Sequence, residues 1–269
     1  MRIGLLADVH ANAPALEAVL GSLEERGAER LLVAGDLVGY GARPNECVEM
    51  LIAAGAECVA GNHDLFVLDR LPPTRFPALA RRSAEITRSL ISADVRNYLA
   101  SLPVIRRVDT VVMAHGSLDS PEEYVVDERR AEELLSRLPQ VAPEADTLVL
   151  GHTHRQWCVI AGRGRLVPAE RVQVDGSRRL LNPGSVGQSR QRERRPGARF
   201  AVYDTERGTV EFLRVDYDVE AGRRALHQLA LPDRCLHAPP RGRDRVLGVA
   251  RKVARPVLRR RAGRSSPSA

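Results

Sequence analysis

Short apolar runs alternate with segments of helical spacing from the first residues of the chain. Residues 3–7 (IGLLA) form an uninterrupted apolar run of strand length. In residues 13–26, Leu16, Val19, Leu20 and Leu23 recur at intervals of three, one and three, which gathers them on one helical face. Asn12 is the expected N-cap of that helix, with Pro14 in its first turn. Residues 31–34 (LLVA) and 57–60 (ECVA) read as two more strands, with a helix over 44–54 between them. A βαβαβ opening predicts a parallel sheet covered by helices.

Residues 66–101 interrupt this alternation. Pro72, Pro73 and Pro77 precede helical stretches at 78–91 and 93–101, so the segment reads as a helical insertion lying over the sheet. Strands resume at 110–114 (TVVMA) and 147–150 (TLVL), separated by a helix over 128–138 with Asp127 as its cap. Five short strands follow, at 157–161, 171–174, 179–181, 199–204 and 209–215. Residues 206–208 form a hairpin turn, and a last helix covers 219–230. The pattern predicts an α/β fold in which a mixed sheet from the second half faces the first sheet, with helices outside both. The folded domain is expected over 1–238, and a tail over 239–269.

Composition changes this picture in three places. No apolar run approaches the roughly 18 residues that span a bilayer, and the N-terminal run meets Asp8 at once. A normal secretory signal is therefore not expected, and the cytoplasm is the predicted location. The four cysteines form no CxxC pair, which excludes a zinc ribbon and predicts small buried thiols in a reducing compartment. The net charge of +7 is unevenly placed. Residues 239–269 hold nine arginines and Lys252 against Asp244, or +9, while the other 238 residues carry 31 basic and 33 acidic side chains. The basic character thus belongs to the tail. It reads as a flexible extension; the alternative is a basic amphipathic helix, suggested by Val246, Val249, Val253 and Val257, that meets nucleic acid or an anionic membrane. Pro256 weakens that helix.

The chemistry sits where apolar strands end. Asp8-Val9-His10 follows IGLLA, Gly35-Asp36 follows LLVA, and Gly61-Asn62-His63-Asp64 follows ECVA. His115-Gly116 follows TVVMA, and Gly151-His152-Thr153-His154 follows TLVL. Ligands of open α/β sheets bind at the carboxyl ends of strands, so these groups are expected along one edge. Carboxylates, imidazoles and one amide, without a thiolate, suit Mn, Fe or Zn. At least seven candidate ligands exceed what one ion needs, which points to two ions, with Asp36 as the best bridging carboxylate. Burying so many polar groups without partners would cost several kcal/mol.

The ordered set DxH, GD, GNHD, strand-end His-Gly and GHTH resembles the calcineurin-like metallophosphoesterase superfamily over about residues 1–215. The segments GDLVGYGARPNE and NPGSVGQ (182–188) are similar to those of its small bacterial and archaeal phosphodiesterase-like members. The resemblance implies a four-layer α/β/β/α sandwich. It assigns Asp8, His10, Asp36 and His154 to a first metal, and Asp36, Asn62, His115 and His152 to a second. It makes His63 the residue that contacts the phosphoryl group and protonates the leaving oxygen, and it gives Asp64 no ligand role. It also implies hydrolysis of a phosphoester by a hydroxide bridging the two ions.

The arginine that protein phosphatases of this superfamily carry after GD is missing, since Gly39 and Tyr40 stand there, which argues against that role. The expected activity is phosphodiester hydrolysis of a small substrate, with phosphomonoesters or dinucleoside polyphosphates as the close alternatives. A non-catalytic scaffold, as in a retromer subunit of this fold, is the alternative of another class. That subunit lacks histidine at the catalytic position, whereas His63 is present here. Arg43 is a weaker candidate for a phosphate contact, as are Arg75, Arg81, Arg82 and Arg88 of the insertion.

Overall fold

Side chains alternate across a strand, and here both faces of the central strands are apolar. In β1 (Arg2–Leu6), Ile3 and Leu5 join one core cluster and Leu6 another. In β5 (Val111–Ala114), Val111 and Met113 face the first of these clusters while Val112 and Ala114 face a third. A strand buried on both faces needs a layer on each side, and two such sheets stacked on one another need four layers. The computed structural model, which describes residues 1–166, 171–174 and 176–237, has this α/β/β/α arrangement.

One sheet contains β1, β2 (Arg30–Val33), β3 (Glu57–Cys58), β9 (Arg171–Gln173), β11 (Ala198–Asp204) and β12 (Thr209–Val215), in the order β3-β2-β1-β11-β12-β9. The other contains β4 (Ile105–Val108), β5, β6 (Thr147–Val149), β7 (Gln156–Ile160), β8 (Gly164–Leu166) and β10 (Arg179–Pro183), in the order β4-β5-β6-β10-β7-β8. Strands β1, β2 and β3 are parallel, as are β5, β6 and β10; the remaining pairings are antiparallel. Ile3, Leu5, Leu32, Met113, Val149, Ile160, Leu181 and Tyr203 fill the space between the sheets.

Helices α1 (Ala13–Glu25), α2 (Pro44–Ala53), α3 (Asn62–Val67), α4 (Ala78–Leu90), α5 (Ala93–Ser101) and α7 (Val219–Gln228) contribute to the cluster outside the first sheet. Helix α6 (Glu128–Val141) covers the second. Ala131, Leu134, Leu135 and Leu138 make its buried face, at spacings of three, one and three, and their cluster includes Trp157, Val159 and Leu180 from the sheet. Each such leucine contributes about 1.5–3 kcal/mol by leaving water. Among the described residues, no helix is long and apolar enough to cross a membrane.

Three expectations need correction. The sheets do not divide along the halves of the chain. Strand β11 pairs antiparallel with β1 (Ile3 with Tyr203), and β10 pairs with β6 and β7, so late strands complete both sheets. Residue Asn12 occupies the N-cap of α1 but makes no side-chain cap; its amide instead donates to Gly187 O at 2.9 Å and Tyr217 Oη at 3.3 Å. Strands β4 and β8 and helix α3 were not anticipated, being short or polar. Asp127 does cap α6, accepting from Arg130 N at 2.9 Å. The basic segment 239–269 lies outside the described residues.

Candidate metal centre

Five loops leave the carboxyl ends of parallel strands and meet at one place. They follow β1, β2 and β3 in the first sheet and β5 and β6 in the second. The candidate groups therefore lie where the edges of two sheets come together, not along the edge of one. Backbone hydrogen bonds fasten the loops to each other. Asp8 N donates to Gly35 O (3.0 Å), His10 N to Asp36 O (2.9 Å) and Gly151 N to His115 O (2.9 Å). The 182–188 loop then binds both sheets. Gly187 N donates to Asp8 O (2.9 Å), Ser185 Oγ also donates to Asp8 O (3.0 Å), and Asn182 Nδ2 donates to Gly151 O (2.6 Å).

These exits demand unusual backbone. Asp8, His10, Asp36, His152 and His154 all have φ between 48° and 64°, the left-handed region. Aspartate and histidine are among the residues that tolerate it best, yet five in one site mark a constrained centre. Gly61 is needed for a different reason: a Cβ there would come 2.1 Å from Asp36 Oδ1, the atom that accepts from His63 N at 2.8 Å.

Two ligand clusters result. Asp8, His10 and His154 bring one donor atom each within 4.8 Å of one another, and so do Asp36, His115 and His152. All six are buried, as are Asn62 and His63. Asn62 Oδ1 lies 3.1 Å from His115 Nε2, so the amide joins the second cluster. Asp36 Oδ2 lies 3.1 Å from His115 Nε2 and 3.6 Å from His10 Nε2, which puts this carboxylate between the clusters. The structure thus brings together every residue expected at the site.

The donor set fits divalent cations. His10 Nδ1 faces Val38 O (3.3 Å), His115 Nδ1 faces Ala34 O (2.7 Å) and His154 Nδ1 faces Gln188 O (2.7 Å). A carbonyl oxygen only accepts, so each Nδ1 carries a proton and each ring turns its Nε2 inward, where a cation would find a lone pair. His10 Nε2 and His154 Nε2 stand 3.2 Å apart, and Asp8 Oδ2 is buried with no hydrogen bond among the described residues. Facing lone pairs and an unpartnered buried carboxylate oxygen are the arrangement a cation resolves. His152 differs: its Nε2 donates to Glu122 O at 3.1 Å, which leaves Nδ1 for a metal.

The local charges respond accordingly. Burial raises Asp8, but the His154 and His115 imidazoles outweigh it and hold the carboxyl at about 2. Burial lowers His115, but the Asp36 and Asp8 carboxylates lift it to about 9; a cation held by Asp36 and His115 would replace that proton. Burial pushes His63 down to about 4 and His152 to about 3. Asp64 is pushed up to about 7 by burial and by Asp36. Its two oxygens accept from Gly61 N (2.8 Å) and Val38 N (3.0 Å), so it holds the GNHD loop to the GD loop.

Above this floor opens a cleft of 790 Å³. Asp36, Asn62, His63 and His152 reach it, together with Tyr40, Phe76, Tyr124 and Arg190, none of which was anticipated from sequence as a site residue. Tyr40 stood in the quoted GDLVGYG segment, and Arg190 two residues beyond NPGSVGQ; Tyr124 carried no local signal. His63 packs between the Tyr40 and Phe76 rings, with centroids at 4.5 Å and 5.6 Å. Of the other arginines considered, Arg75 lines the cleft and pairs with Glu122. Arg43 pairs with Glu46 outside it, while Arg81, Arg82 and Arg88 bond to backbone carbonyls.

Comparisons with known proteins agree with this geometry. Residues 1–208 match the family described as the calcineurin-like phosphoesterase superfamily domain. An uncharacterised protein of Methanocaldococcus jannaschii, MJ0912, is 30% identical over 239 residues, covering 86% of this chain and 94% of that protein. The crystal structure of a metallophosphoesterase from Sphaerobacter thermophilus superposes with a TM-score of 0.74 at 31% identity, covering 88% of this chain and 97% of that one. The hypothetical protein PH1004 from Pyrococcus horikoshii shares the fold, with a TM-score of 0.68 at 20% identity over 87% of this chain and 96% of its own. With its two His/Asp clusters at the joined ends of two sheets, this chain belongs to the calcineurin-like phosphoesterase superfamily.

Proposed function

We propose that this chain is a dinuclear metal-dependent phosphodiesterase of the cytoplasm. The observation that carries the proposal is the pair of buried ligand clusters on the floor of an open cleft, with the His63 ring beside them. Asp8, His10, Asp36 and His154 would hold one divalent ion, and Asp36, Asn62, His115 and His152 the other, with Asp36 shared. Manganese is the first choice for such an oxygen and nitrogen set, with iron or zinc as alternatives. When bound, two ions would supply Lewis acidity, an activated water and neutralisation of charge on phosphorus.

The chain's own residues do the rest. His115, His10 and His154 are fixed in one ring orientation by backbone carbonyls, so no reorganisation is needed as ions and substrate arrive. His63 is held by its backbone bond to Asp36 Oδ1 and by the Tyr40 and Phe76 rings. Its Nδ1 is buried against Gly39, so Nε2 is the ring nitrogen left to meet a phosphoryl or leaving oxygen. Water's oxygen bonds to phosphorus and its proton passes to solvent as the bond to the leaving oxygen breaks; His63, whose affinity for a proton an anionic phosphoryl group beside it would raise, delivers a proton to that oxygen and regains one from solvent. A cleft of 790 Å³ has room for substituents on two ester oxygens, which supports a diester over a monoester. The four cysteines are buried and unpaired, in keeping with a reducing compartment.

The test is hydrolysis of bis(p-nitrophenyl) phosphate and p-nitrophenyl phosphate by metal-stripped protein titrated with Mn²⁺. The expected result is metal-dependent turnover that favours the diester. In His63→Ala it falls by about 10²–10⁴-fold while the metals remain. Preference for the monoester would make the chain a phosphomonoesterase. Metals bound without turnover of either would favour a scaffold.

A further inference from the structure

Tyr124 and Arg190 reach the cleft from two separate loops and meet at its rim. Arg190 Nη1 donates to Tyr124 Oη at 3.1 Å, and its guanidinium carbon lies 5.9 Å from the ring centroid. The other neighbour of the Tyr124 ring is His152, with centroids 3.9 Å apart and planes at 41°. The ring is thus held against a candidate metal ligand, yet Tyr124 keeps 50% of its surface exposed. A ring held in place with half of its surface exposed at the rim of a cleft can stack against another planar ring.

Arg190 offers the complementary chemistry. It lines the same cleft as Asp36, Asn62, His63 and His152, which places the guanidinium beside the candidate centre. Among the described residues it forms no ion pair with a carboxylate, whereas Arg75 in the same lining is engaged by Glu122. A guanidinium without a carboxylate, facing an anion-binding cleft, is suited to a phosphate by its rigid fork of donors.

We propose that Tyr124 and Arg190 form a specificity subsite for a nucleotide that carries a second phosphate. The base stacks on Tyr124, and the phosphate that is not attacked pairs with Arg190. The inference rests on the phosphoesterase reading of the metal centre and names the substrate class for it. The second phosphate can be joined through an anhydride or through the ribose, and the test separates these sources.

The experiment measures inhibition of Mn²⁺-dependent bis(p-nitrophenyl) phosphate hydrolysis, with Mn²⁺ in excess over all nucleotides. The inhibitors are ribose 5-phosphate, AMP, ADP and adenosine 3′,5′-bisphosphate. AMP is expected to bind about tenfold more tightly than ribose 5-phosphate because of the base. ADP or the bisphosphate is expected to gain about tenfold more, and the tighter of the two identifies the linkage. Tyr124→Leu removes the first preference. Arg190→Gln removes the second and keeps the first, and Arg190→Lys restores part of it. Four inhibitors of equal strength on the unaltered chain would overturn the proposal, as would preferences that survive in folded variants. If the unaltered chain does not hydrolyse the diester, the enzymatic reading fails first. The same four ligands are then compared by calorimetry on the Mn²⁺-loaded protein, where equal affinities overturn the subsite independently.

Discussion

At the scale of the residue, Asp36 is the most exposed to test. One of its oxygens accepts from His63 N, and the other lies between His10 and His115. Asp36→Asn keeps the shape and tolerates the positive φ of 56°, but removes a charge that both ions would share. The folded chain is expected to persist while Mn²⁺ affinity falls by more than the roughly 10–100-fold that outer hydrogen-bond partners contribute; a Mn²⁺ titration reads this directly. The thiols make a second prediction. Burial pushes Cys58 and Cys235 up to about 12, Cys158 to about 11, and Cys47 higher still. None is expected to react quickly with a thiol reagent in the native chain, and all four should react in denaturant. The eight residues that the structure gathers at the candidate centre were legible in the sequence because each follows an apolar run in a short fixed motif. Tyr124 and Arg190 were not, because their place in the cleft comes from long-range packing of two loops.

The elements show which local signals suffice. Helices with a repeating apolar face, such as α1 and α6, stand where their spacing placed them. Helix α3 has only six residues, too few for periodicity to speak, whereas the two-residue β3 is read from the apolar run at 57–60. Asp127→Ala should remove the α6 cap and cost about 1 kcal/mol, read as a lower denaturation midpoint without loss of Mn²⁺ binding. The 182–188 loop should behave oppositely. A Cβ on Gly187 would come 1.8 Å from Val9 O, so Gly187→Ala must move the loop that holds Asp8. Metal affinity should fall at least as steeply as stability. A variant that loses stability alone would mean that the loop is only structural.

Across the whole molecule, sandwich layers and strand-end chemistry followed from the alternation of apolar runs. The division of strands between the sheets did not, because the pairings of β11 with β1 and of β10 with β6 join residues far apart in sequence. The 182–188 loop, which leads from β10 of one sheet towards β11 of the other, bonds to Asp8 and to Gly151 and so joins both sheets at one site. Those pairings also tie the site to global stability. Ions that bind the folded chain alone should stabilise it by about 2.7 kcal/mol at a hundred times the dissociation constant, read as a higher melting temperature that a chelator reverses. The most direct test of the centre itself is anomalous diffraction from crystals soaked in Mn²⁺. Two peaks about 3.5–4 Å apart, one bounded by Asp8, His10 and His154, the other by Asn62, His115 and His152, with Asp36 between them, are the predicted result. A single peak, or manganese bound away from these residues, would contradict it.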